Sequence, residues 1–230
     1  MTYTAAQIVA EACQIVKGIG MTAQAGRNLN LVLSDLVQHR NLKVNLITAT
    51  INVTPASNGP FNLEANYLRT YDLSYLVNGE PFFLDPCSLK EYDGESQTSG
   101  LSNYPYEWAS DLSPVASGGV GVLYVYPQAS TNIAMKHRYY NKQADITTPE
   151  TSTTVPWFSD QDYLITATAM RMMRITDDDR LPVFKAMCDE MLSVHLMTEG
   201  DEQQVVKEVQ LDPRRFRINR STRPTKLDPF

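Results

Sequence analysis

Apolar positions recur at helical spacing near both ends of the chain and at every second residue through its middle. Thr4 with Gln7 forms a capping box, and Ile8, Ala12, Ile15 and Ile19 follow on one helical face, with Gly18 and Gly20 marking the end. Thr22 is placed to cap a second helix, whose stripe is Leu29, Val32, Leu33, Leu36 and Val37, with Arg40 at its close. The period then drops to two. Ile47, Ala49, Ile51 and Val53 alternate with polar residues, as a half-buried strand requires. A strand over Tyr67–Val77 runs into Asn78 and Gly79, residues that tolerate the positive φ of a tight hairpin, and residues 80–84 return antiparallel.

Residues 94–119 are rich in Ser, Gly and Asn and keep no apolar period, so they read as a long loop. Loops of that length are uncommon unless they contact something, and Tyr104, Tyr106 and Trp108 make this one a candidate contact with a neighbour or a tail protein. The competing reading folds these aromatics back on their own sheet. Strand character returns at Val122–Tyr126 and at 133–140, which are expected to pair, and a Thr-rich connector over 141–156 leaves the sheet.

Ser159, Asp160 and Asp162 open a third helix with buried positions at Leu164, Ile165, Thr168, Met172 and Ile175. Asp177, Asp178 and Asp179 are expected to cap a fourth, with Pro182 in its first turn and a stripe of Val183, Phe184, Met187, Cys188, Met191, Leu192 and His195. The expected fold is α+β: a four-helix bundle formed by both chain ends, with an inserted antiparallel β-sheet and an extended C-terminal tail. The divisions are a helical hairpin at 1–43, the β region at 44–156, a helical pair at 157–200 and the tail at 201–230.

With 43% hydrophobic and 20% charged residues among 230, the chain is built to fold rather than to stay disordered. Its charge is divided unevenly. Residues 1–210 carry a net −10, whereas residues 211–230 carry +4 within an overall −6. An acidic body repels nucleic acid, so only the tail has the cations to displace phosphate counterions. The three cysteines, widely spaced, suggest neither a disulfide framework nor a zinc site and suit a reducing compartment. No apolar run or leader suggests a membrane span or a secretion signal.

Catalytic patterns are sparse. His39, His137 and His195 lack metal-ligand spacing, and Cys188 and His195, seven residues apart on one helix, stand roughly 10 Å apart, too far for a nucleophilic pair. The acidic run at 177–179 lacks the calcium-loop pattern. The glycine-rich stretch at 118–122 precedes a strand rather than the helix N-terminus that phosphate binding needs. The first two helices lack the basic stripe of a DNA-reading helix-turn-helix. No enzyme activity, cofactor or metal is therefore expected.

The order of segments carries a resemblance. Two N-terminal helices precede YLRTYDLSYLVNGEPFFLDPCSLKEYD, then GVLYVYPQAS with IAMKHRYYNKQADIT, then the helices of VPWFSDQDYLITATAMRMM and DDDRLPVFKAMCDEML. Over roughly residues 5–200 this pattern resembles the head-to-tail adaptor proteins of tailed bacteriophages, in the LYVYP strand, the RYY after it and the Asp-rich start of the last helix above all. The resemblance implies a virion protein of the head-tail junction, assembled in host cytoplasm. It implies a homo-oligomeric ring, usually of twelve copies, between the portal protein and a tail or nozzle protein. DNA passes through the channel without sequence-specific binding. It further implies that a C-terminal extension docks on the portal.

In this chain the docking role falls to Leu211, Arg214, Arg215, Phe216, Arg217, Arg220, Arg223, Leu227 and Phe230. The rival reading is a DNA-binding module that uses the same basic tail.

Overall fold

The computed structural model describes residues 2–18, 20–96 and 104–199. Helix α1 (Ala5–Val16) starts at the expected capping box: the Thr4 hydroxyl accepts the Gln7 N–H and the Gln7 side chain accepts the Thr4 N–H at 2.9 Å. It ends at Lys17, in the left-handed region at φ 54°, with the Gly18 N–H returning to the Cys13 carbonyl at 3.0 Å. Helix α2 (Thr22–His39) begins one residue earlier than expected for a Thr22 cap. Met21 holds the cap position without a side-chain bond and packs into the helical core.

Helix α4 (Gln161–Thr176) is capped by Asp160, which accepts the Tyr163 N–H at 2.9 Å. Asp177 closes α4 in the left-handed region rather than capping the last helix, α5 (Leu181–Glu199). Asp178 instead accepts the Arg180 N–H and guanidinium, and Arg180 also reaches the Ile15 carbonyl. Its bonds to Arg180 hold the Asp178 carboxyl down at about 2.

These helices do not make the four-helix bundle that the apolar stripes suggest. Helix α4 takes the centre, packed by α1, α2 and α5, while α5 rests chiefly on α4 and makes little contact with α1 or α2. The cause lies in α4's surface. Leu164, Ala167, Thr168, Ala169, Met172 and Met173 are buried on several sides of it, and its small residues let neighbours approach closely. A closed bundle needs four helices around a shared axis, but here one helix lies where that axis would run. Among the described side chains of α5 only Cys188 and Leu196 are buried.

The middle of the chain holds two four-stranded sheets rather than one. Strands β1 (Leu46–Val53), β8 (Ile133–Asn141), β3 (Tyr67–Val77) and β4 (Glu80–Phe83) form the first, in that order. The second runs β2 (Phe61–Asn62), β7 (Val122–Tyr126), β6 (Glu107–Asp111) and β5 (Asp85–Pro86), and its β5–β6 pair is parallel. Their facing residues, including Ile51, Val53, Leu73, Leu123, Val125 and Met135, share one core separate from the helical one.

The expected pairing of Val122–Tyr126 with 133–140 is therefore wrong. β7 bonds to β2 and β6, and β8 bonds to β1 and β3. Both strands alternate, which strands do whether they are paired edge to edge or face each other across a core. The hairpin at Asn78 and Gly79 forms as expected, at φ 53° and 89°.

The described residues of 94–119, namely 94–96 and 104–119, hold more regular structure than their composition suggests. They contain the end of helix α3 (Leu89–Ser96), strand β6 and a 3-10 turn at Ser113–Ser117. Ser88 and Glu91 cap α3 reciprocally: the Glu91 carboxylate accepts the Ser88 N–H at 2.9 Å and the Ser88 hydroxyl accepts the Glu91 N–H at 3.2 Å.

Arg69, on β3, ties the helical layer to the first sheet. Its guanidinium donates to the Val37, Gln38 and Arg40 carbonyls at the end of α2 and to the Asn41 side chain, over distances of 2.7 to 3.4 Å. It lies 4.8 Å above the Tyr140 ring. The last carbonyls of a helix have no intrahelical donor, and a planar cation there satisfies several at once. Asn30 ties α2 to the connector that follows β8, exchanging bonds with the Ile146 backbone at 3.0 and 3.1 Å.

Candidate functional site

The hairpin β3–β4 presents apolar side chains on both of its faces. Leu76 is 71% exposed and Phe83 55%, and all four β4 residues are exposed. On the inner face the Tyr75 ring lies 5.4 Å from Phe82 and 6.3 Å from Tyr104. The Tyr75 hydroxyl donates to the Pro105 carbonyl at 2.7 Å, and burial, reinforced by Tyr104, pushes its pKa up to about 12. Tyr106 meets Tyr126 edge-on at 6.1 Å.

Tyr104 and Tyr106 are both exposed, Tyr104 in one aromatic cluster with Tyr75 and Phe82 and Tyr106 in a separate pair with Tyr126. Trp108 is more enclosed. It stands opposite Val125 in the β6–β7 ladder and packs against the sandwich core. Phe82 and Phe83 were missed as surface groups because their alternating strand reads simply as a return arm. The signal that bears on them is Pro81, a residue confined to edge strands.

A second apolar surface lies on the outside of α5. Val183 is 61% exposed and Val194 57%, with Met187 also exposed on that side. Together with Phe184, Cys188 and Leu196 toward α4, they give this helix two apolar faces where the sequence suggested one stripe.

The titratable groups behave as structural parts. His137 is buried between Tyr67 and Tyr139, with Nε2 3.0 Å from the Thr70 hydroxyl, and burial lowers its pKa to about 4. His195 packs on the Phe158 ring at 4.4 Å. Burial, and then Asp189, pushes the Cys188 thiol up to about 11. Cys87 rises to about 11 through burial and the nearby Glu107, Glu95 and Glu91. Neither thiol is set up as a nucleophile, which needs a lowered pKa. Among the described residues no His, Cys, Asp and Glu groups are placed to hold a metal ion, and no helix is long and apolar enough to cross a membrane.

The nine tail positions from Leu211 to Phe230 lie outside the described residues. No protein-family model matches this chain, and no curated protein matches it.

Proposed function

We propose that the chain is a structural subunit of a virion, a head-to-tail adaptor that forms a ring between portal and tail and grips the portal through its basic C-terminal segment. The observation that carries this reading is the separation of surface character. The body, residues 1–210, has a net charge of −10 and exposes the side chains of Phe82, Phe83, Tyr104 and Tyr106 and the outer face of α5, while residues 211–230 carry +4.

An acidic wall around a DNA channel does not take up phosphate counterion sites, so the duplex slides past it. Exposed apolar surfaces on two separate elements suit a subunit with neighbours on more than one side. Each aromatic group that closes fully into a pocket contributes about 1.5–3 kcal/mol, and repetition around a ring turns modest contacts into a lasting assembly.

Sedimentation with purified portal tests the docking role. The full chain travels with the portal and a chain ending at residue 210 does not; equal co-sedimentation of the two forms overturns the proposal. The basic tail also favours the rival reading, and filter binding to duplex DNA over a salt series separates the two. A DNA-binding module loses affinity steeply with salt and loses it altogether when residues 212–230 are removed. The adaptor shows weak binding in both forms.

A further inference from the structure

Two exposed surfaces of the chain match each other in spacing and in charge. The first is the outer face of the first sheet. Met135 of β8 packs in the sandwich core, so by alternation Lys136 points outward. The ladder sets Thr50, Lys136, Ser74 and Phe83 opposite one another, one from each of β1, β8, β3 and β4, in a row across that face. Each step along the row is one strand spacing, about 4.8 Å. Thr50, Lys136 and Phe83 are exposed, and Ser74 is the small, buried floor between the longer Lys136 and Phe83. The exposed Leu76 lies two residues along β3 and diagonal to Phe83.

The second surface is the outside of α5. At 3.6 residues per turn, Val183, Met187, Glu190 and Val194 fall within about 60° of one another, and all four are exposed. Their successive rises along the axis are about 6, 4.5 and 6 Å. Lys185 and Asp189 lie about 100° or more around the helix from Glu190, which leaves Glu190 as the one charge in the stripe.

Laid across the strands, the stripe meets the row position by position: Val183 on Phe83, Met187 on Ser74, Glu190 on Lys136 and Val194 on Thr50. The two series span about 17 Å and about 14 Å, a mismatch within the reach of the side chains. Neither Lys136 nor Glu190 has an ion-pair partner among the described residues. Charge also selects the direction. With the helix reversed, Lys136 meets Met187 and Glu190 meets Ser74, so both charges are covered without a counterion. Both faces are exposed within a single chain, so the contact joins different copies.

We propose that the outer face of α5 in one copy docks across the outer face of the first sheet in the next, with Glu190 paired to Lys136 and Val183 seated against Phe83 and Leu76. The contact is heterologous, joining two different faces, which is the arrangement that builds a ring when its rotation closes. It rests on the ring reading above and names the surfaces that neighbouring copies share.

Sedimentation equilibrium of the isolated chain over a range of concentrations tests this without portal, so its failure is distinct from a failure of portal docking. The native chain forms species larger than a monomer as concentration rises. Lys136→Glu and Glu190→Lys each weaken that association at least ~10-fold, because like charges then face each other. The double variant Lys136→Glu/Glu190→Lys recovers to within about 3-fold of the native chain. An equal mixture of the two single variants recovers as well: the altered helix of one fits the altered sheet of the other, and their two unaltered faces fit each other. Recovery in the mixture also shows that both variants keep the fold. A native chain that stays monomeric at every concentration overturns the proposal, as do single variants that associate like the native chain, or a double variant or a mixture that fails to recover.

Discussion

Lowering the pH acts on this fold through His137. The side chain is 1% exposed, enclosed by Tyr67 and Tyr139, and its hydrogen-bond partner is the Thr70 hydroxyl. Burial lowers its pKa from 6.5 to about 4. A group whose pKa is lower in the folded state binds fewer protons there than in the unfolded chain. Its contribution is complete above pH 6.5 and is lost as the pH falls from 6.5 toward 4.

Between pH 7 and pH 5 that loss is about 2 kcal/mol, from a tenfold proton preference being worth about 1.4 kcal/mol. Urea unfolding at a series of pH values, on the native chain and on His137→Gln, reads it directly. Glutamine keeps a hydrogen bond available to Thr70 but does not titrate in this range. Other groups titrate alike in both proteins and cancel from the difference. The expected result is a native stability that falls about 2 kcal/mol further than the variant's over this interval. Parallel curves would refute the claim that His137 is held neutral by burial.

Three further outcomes rest on the geometry. Arg69→Lys keeps the charge but not the fork that serves the end of α2, and urea unfolding should register a loss of about 2 kcal/mol. Leu164→Ala opens a cavity at the centre of the helical core and should cost about 2–5 kcal/mol in the same assay. Phe83→Ser removes a largely exposed ring, so stability measured by thermal unfolding should change by less than about 0.5 kcal/mol while assembly on the portal weakens in co-sedimentation.

Local signals in the sequence located most elements, and long-range ones failed. The capping box at Thr4 and the turn at Asn78 and Gly79 depend on neighbouring residues and formed as expected. The box at Ser88 and Glu91 carries the same signal for α3, but the polar composition after it masked a short helix. Partner choice is not local. Nothing in the alternation of β7 or β8 states whether they pair or face each other, and the stripe of α5 does not reveal that α4 offers it one side only.

The candidate surface divides the same way. Tyr104, Tyr106 and Trp108 stood out by composition, but only the fold sends Trp108 inward and brings Phe82 beside Tyr104 through Tyr75.

The most direct measurement counts the copies held on each portal, by mass or by electron microscopy of the mixed complex. A ring-forming adaptor predicts one closed ring per portal, built from the full chain and missing when the chain ends at residue 210. Single copies scattered on the portal, or binding that ignores the loss of the tail, would contradict the account.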